Sequence, residues 1–443
     1  MSDLNVEKKQ LGVWTLTSLV VGNMVGSGIF LLPTDLAKIG SISLIYWIAT
    51  VVGAVLLALV LSRLSQIVPQ NGGPFAYARQ GLGGFIGFQT VYNYWVAIWV
   101  GNLGLIIAFL SYLAMLWPVF AQPLVGIITG VVVIWLLTFV NISGVRNAGI
   151  LQLVTVVLKL IPIVLLIGFG LWYFDIANIK AIFNVANDTQ NSVSSAASLP
   201  LWAFIGVESA TIPYSSVKNP HRDIPLATLM GTVIAAIIYI LSTTVVLGML
   251  PHSVLINNAS PFVAVAEMIF GSWGKWFMIV GALISCFGCI NGWTMLQGQV
   301  AMAAADNNLF PGVFGVKNKR GTPALGLTIT AVLESAVLLL MLDKDISEEF
   351  RMITFMASLA ALIPYLYSSL AALILLKRQA TVISFKDKIF FLLASLAAIY
   401  SFWTITISGE KAIFYGSILL FSSALLYGWG YGNRKGVEED DSC

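Results

Sequence analysis

The chain is short of charge. Only 10% of its 443 residues are Asp, Glu, Lys or Arg, where a soluble domain carries roughly 25%. A water-facing surface for a molecule of this size cannot be built from so few charges, and hydrophobic residues reach 58%. The chain is therefore expected to lie in lipid. A net charge of +3 excludes a basic nucleic-acid-binding surface as the main theme. Cysteine and histidine are scarce, with three and two residues. Cys286 and Cys289 sit within one apolar stretch and read as packing residues, so no disulfide framework is expected. His221 and His252 fall in separate loops, so neither a metal site nor another cofactor is expected. The sequence has no Gly-x-x-x-x-Gly-Lys loop, which argues against ATP as a driving force. No nucleophile and base or metal set suggests an enzyme, and no charged ring-forming segment suggests a channel.

What is present is a series of apolar runs. About 20 such residues make a membrane-spanning helix. Windows of that kind fall at roughly 12–36, 43–66, 84–116, 123–143, 148–173, 194–215, 224–249, 273–304, 325–342, 350–376, 386–407 and 411–431. The expectation is an all-α membrane protein of twelve spans. The stretch from Gly12 is too long and too rich in glycine for a cleavable signal. With the N-terminus inside, sixteen of the 23 Lys and Arg residues fall in cytoplasmic segments and six outside, while Lys159 lies within a span. This bias places both termini in the cytoplasm. The acidic run Glu438–Asp441 reads as a solvated tail.

Two spans carry unusual chemistry. The first contains Gly22-Asn23-Met24-Val25-Gly26-Ser27-Gly28, poor material for a continuous helix. The sixth contains Gly206 two residues before Glu208. Irregular backbone survives at membrane depth only where it lines a cavity or is buried in protein. Interruptions in spans one and six fit spans 1–5 and 6–10 as two inverted repeats, and such paired breaks point to a transporter's binding site. Freed N–H groups at Ser27 and Gly28 would start a half-helix able to hold a carboxylate. Freed carbonyls before the break, and those near Trp202 and Ile205, would accept from an ammonium group. Glu208 at mid-bilayer costs at least about 2.5–3.5 kcal/mol to insert. It either recognises a cationic substrate or couples a proton to conformational change. Glu334, in an apolar run, reads as a buried hydrogen-bonding group or a contact between copies.

Several motifs together resemble one family. They are Gly26-Ser27-Gly28-Ile29-Phe30, the stretch Gly72-Gly73-Pro74-Phe75-Ala76-Tyr77-Ala78-Arg79, the segment Trp202–Ser209, and Lys218-Asn219-Pro220-His221-Arg222-Asp223-Ile224-Pro225, with Gly292-Trp293 and Pro364-Tyr365. The chain resembles the amino acid–polyamine–organocation transporters, and within them the bacterial basic amino acid/polyamine antiporters. The resemblance implies a leucine-transporter-like fold. A cytoplasmic N-terminus (1–11) precedes a 5+5 inverted-repeat core over 12–376, with repeats 12–173 and 194–376. Two further helices (377–431) and the cytoplasmic tail (432–443) follow. It implies alternating access in a bacterial inner membrane, a small amino acid or amine as substrate, and often a homodimer.

Residue by residue, Ser27 and Gly28 resemble the carboxylate cradle, and Asn23 and Gly26 beside them are expected to bind substrate. The backbone at Trp202 and Ile205 resembles the amino-group site. Trp293 matches an aromatic that stacks on the substrate and acts as a middle gate. Asn102 matches a polar contact to the substrate side chain. Tyr94, Glu208 and Tyr365 match an outer gate linked to pH sensing. Lys159 matches a lysine found in some members, where the ammonium substitutes for a sodium ion. It is either a fixed cation in a sodium-independent exchanger or the carrier in a proton-coupled symporter. Ile98 and Ala357 stand where the family's arginine exchanger has a thiol and a serine hydroxyl. That loss of polarity disfavours a guanidinium and suits a shorter cation or a less polar amino acid.

Overall fold

The computed structural model describes residues 11–183, 203–341, 346–379 and 384–432. The described residues are helical apart from turns and one isolated bridge, Leu11 to Val217. The first apolar run is divided into α1 (Val13–Met24) and α2 (Gly28–Ile39), bent by 41° at the glycine cluster. Then come α3 (Ser41–Ile67), the short α4 (Pro74–Leu82), α5 (Gly84–Leu116), α6 (Pro123–Ile142), α7 (Val145–Gly170) and α8 (Ile176–Phe183). Beyond the sixth window follow α9 (Pro220–Met249), α10 (Pro261–Phe270), α11 (Ser272–Asp306), α12 (Ala324–Leu340), α13 (Ile346–Gln379), α14 (Phe385–Ile407) and α15 (Glu410–Gly432).

Eight of these helices are long and apolar enough to cross a membrane, and the bent pair α1–α2 forms a further broken span. Shorter apolar helices meet the ninth and twelfth windows, while the sixth lies partly outside the described residues. The two long polar gaps that follow α7 and α9 are themselves partly helical, as α8 and α10. Proline at the first turn of α4, α6, α9 and α10 starts each helix where a backbone donor is not needed.

The outer faces are apolar. Along α6, Ile128, Val132, Leu136 and Phe139 are all at least half exposed. Water would not tolerate such a stripe, but lipid does. The polar side chains turn inward instead. Lys159, Glu208 and Glu334 are all buried, at 1% exposure or less. Among the longest helices, α5 packs along both α11 and α13, and α11 also lies against α1 of the broken first span. They supply the walls against which the break is held.

Candidate functional site

The break in the first span separates two helix ends of opposite polarity. α1 stops at Met24, and its last carbonyls have no helical partners. Each of those carbonyls is taken by a side chain from elsewhere. The Lys159 ammonium, from α7, donates to Gly22 O at 2.8 Å and also to Val25 O. Ser285 Oγ, from α11, donates to Val25 O at 2.9 Å. Tyr239, from α9, donates to Met24 O at 2.6 Å. Cys289 Sγ lies 3.3 Å from Asn23 O. A cation at the C-terminal end of a helix complements its dipole. The protein's own donors therefore reach the carbonyls that the sequence offers to a substrate amine.

The other side of the break is open. The N–H groups of Ser27 and Gly28 have no backbone partner among the described residues, and Ser27 Oγ is buried without a hydrogen bond. Gly26 must be glycine, because a Cβ there would lie 2.8 Å from Cys289 Sγ.

The second break faces the first. Helical geometry ends at Phe204, and Gly206 takes a φ of 116° that disfavours any residue with a Cβ. A Cβ at Gly206 would also sit 3.1 Å from that of Asn23. Two residues on, Glu208 is fully buried, and it accepts from the hydroxyls of Tyr94 and Tyr365. The Tyr365 hydroxyl in turn accepts from Gly206 N–H at 3.2 Å. No Lys or Arg pairs with Glu208 among the described residues.

A cavity lies between the breaks, with Asn23, Gly26, Ser27, Gly28, Ile205 and Trp293 in its wall. Tyr94, Ile98, Cys289 and Ala357 line it too. Tyr94 and Trp293 approach with ring centroids 6.5 Å apart. The free space amounts to about 30 Å³, room for two or so water molecules. An amino acid enters only when part of this wall moves.

The amino acid permease family model matches residues 11–426, nearly the whole chain. The chain belongs to the amino acid permease family. It is 39% identical to the cadaverine/lysine antiporter of Escherichia coli K12, over 81% of this chain and 82% of that one. It is 34% identical to the putrescine transporter PotE of the same organism, over 95% and 96%, and 33% identical to PotE of Haemophilus influenzae, over 96% and 98%.

Most of the residues singled out from the sequence of this permease converge on the cavity. Asn23 does so as a tie between the breaks: its Nδ2 donates to Ser209 Oγ at 3.0 Å, and its Oδ1 accepts from Gln152 at 3.4 Å. Trp202 lies outside the described residues. Asn102 is set behind the wall, next to Gly101, with its amide turned to Gln297 and Glu334. Tyr94, Glu208 and Tyr365 do form one hydrogen-bonded cluster. It lies on the side of the cavity toward Leu11 and Val217, as the chain runs from Gly206 through Glu208 to that bridge.

Several residues of the permease site escaped the sequence reading. Tyr239 and Ser285 cap the first break. Gln152, Asn291 and Asn141 continue an amide chain from Asn23: Asn291 Nδ2 donates to Gln152 Oε1 at 3.0 Å, and Asn141 Nδ2 donates to Asn291 Oδ1 at 3.2 Å. A signal for them exists. An amide inside an apolar span is expensive without a partner. Cys289, read as packing, lines the cavity as well.

Proposed function

We propose that this chain is a secondary antiporter that exchanges a cationic amino acid for an amine by alternating access, across a bacterial inner membrane, without sodium. One observation carries the reading. The first break leaves backbone donors open to the cavity with no anion against them, while the second holds a buried carboxylate with no cation. A zwitterion with a basic end complements both. The relatives named for cadaverine, lysine and putrescine support the same chemical class. Lys159 then takes the part of a resident cation at the C-terminal end of α1, where a sodium ion would otherwise neutralise the freed carbonyls. In this reading the chain folds as twelve spans with both termini cytoplasmic. Repeats 12–173 and 194–376 form the core, and Tyr94, Glu208 and Tyr365 close it on the inner side. Ile98 and Ala357 in the cavity wall favour an ammonium over a guanidinium, whose several donors would lack partners.

The test uses purified protein in liposomes. Labelled lysine is offered to vesicles preloaded with cadaverine or putrescine and to empty ones, with and without sodium and with and without an inward proton gradient. Exchange predicts uptake into preloaded vesicles alone, indifferent to sodium and poorly inhibited by arginine. Uptake into empty vesicles driven by the proton gradient would overturn exchange in favour of symport.

A further inference from the structure

A second buried carboxylate lies outside the cavity wall. Glu334, on α12, is 1% exposed. Among the described residues it forms no ion pair. Its Oε1 accepts from Asn102 Nδ2, on α5, at 3.2 Å. The same Nδ2 donates to Gln297 Oε1, on α11, at 3.3 Å. A side-chain amide has two N–H donors, and here both face acceptors. The other end of the amide is bare: Asn102 Oδ1 is buried without a hydrogen-bond partner. Asn102 itself is fully buried, and its neighbour Gly101 lines the cavity.

From this geometry we propose that Glu334 is a positioning residue for substrate selection. With Gln297, it locks the Asn102 amide so that the atom left for a ligand is an oxygen, a pure acceptor. The inference rests on the function proposed above and adds a specificity element to it. A terminal ammonium carries three donors and no acceptor, so it satisfies Oδ1. A methyl group of the same size leaves Oδ1 unpaired, and a hydroxyl-free neutral chain gains nothing there. A site built to hydrogen-bond a substrate group discriminates strongly against an analogue that lacks it. The lock belongs to the ionised carboxylate, which accepts and cannot donate. Glutamine at this position would not serve. It donates as well as accepts, and the Asn102 amide could then turn and offer its N–H groups instead.

The experiment compares lysine with 2-aminoheptanoate, which replaces the terminal ammonium by a methyl group, as competitors of exchange by the full chain in liposomes. The ratio of their inhibition constants is measured for the wild type, Glu334→Gln, Asn102→Leu and the double variant. The wild type is expected to prefer lysine. Glu334→Gln is expected to shrink that preference about tenfold, equivalent to roughly 1.4 kcal/mol, with affinity for 2-aminoheptanoate unchanged. In the Asn102→Leu background, Glu334→Gln should change the ratio no further. An unchanged ratio in the single variant overturns the inference. So does an equal loss in both backgrounds, because Glu334 would then act on the substrate without Asn102. If Glu334→Gln does not accumulate, Gln297→Leu removes one of the two acceptors and is expected to shrink the ratio in the same direction; no change would overturn the lock. Absence of lysine exchange in the wild type would instead sink the proposed function, so the two failures are distinguishable.

Discussion

The two breaks are secured by opposite chemistry. At the first, backbone carbonyls are the groups left without helical partners, and a lysine ammonium, a serine and a tyrosine reach in to satisfy them. At the second, a buried carboxylate is the group that needs partners, and two tyrosine hydroxyls satisfy it. The first contains its own cation and is left wanting an anion. The second contains its own anion and has no cation. Hydroxyls stabilise a buried carboxylate less fully than an ion pair does, so the second break is the more responsive to an arriving positive charge. The first, whose cation is tied to two carbonyls, is the more rigid. Under the proposed function, the difference gives recognition of the carboxylate to a fixed cradle and closure to the element that carries Glu208.

Breaking the cradle should have the largest effect. Ser27→Lys places a long cationic chain in the cavity wall against the open N–H groups, and is expected to abolish substrate binding in an equilibrium binding assay. Lys159→Met comes next. It strips a charge-assisted donor from Gly22 O and Val25 O, which is expected to cost about 3 kcal/mol or more and to be seen as a lower unfolding temperature in detergent together with loss of exchange. Gly206→Ala forces a Cβ into the left-handed region against Asn23, at about 2 kcal/mol. Slower exchange with binding retained would mark it as a fault in the moving side. Glu208→Gln sharpens the comparison further. It keeps the size of the side chain but removes its ability to gain and lose charge, so exchange measured from pH 5 to 8 should lose its pH dependence. A pH profile like the wild type's would remove Glu208 from the coupling role. The smallest effect is expected far from both breaks. Ser384 caps α14 through a reciprocal bond with Asp387. Ser384→Ala is expected to cost about 1 kcal/mol and to leave exchange unaltered.

The breaks were legible because their signals are local. Three glycines within seven residues disfavour a helix wherever they stand, and a carboxylate in an apolar run announces itself by its cost. Lys159 was legible as an anomaly for the same reason, but its partners were not: Gly22 and Val25 are more than 130 positions away in the chain. Asn102 and Glu334 illustrate the limit most clearly. Each was visible alone, one by resemblance and the other by its charge. That the first turns its amide toward the second depends on how α5, α11 and α12 lie against one another.

Composition and hydropathy alone determined that this chain lives in lipid as a bundle of helices, since so few charges and such long apolar runs admit no other solvent. The local sequence determined where two of those helices fail. The tertiary structure decided which orphaned groups were satisfied from within and which were left for a ligand. The reason is physical: a hydrogen bond at membrane depth needs its partner within about 3 Å, and only the packing of distant helices brings that partner there.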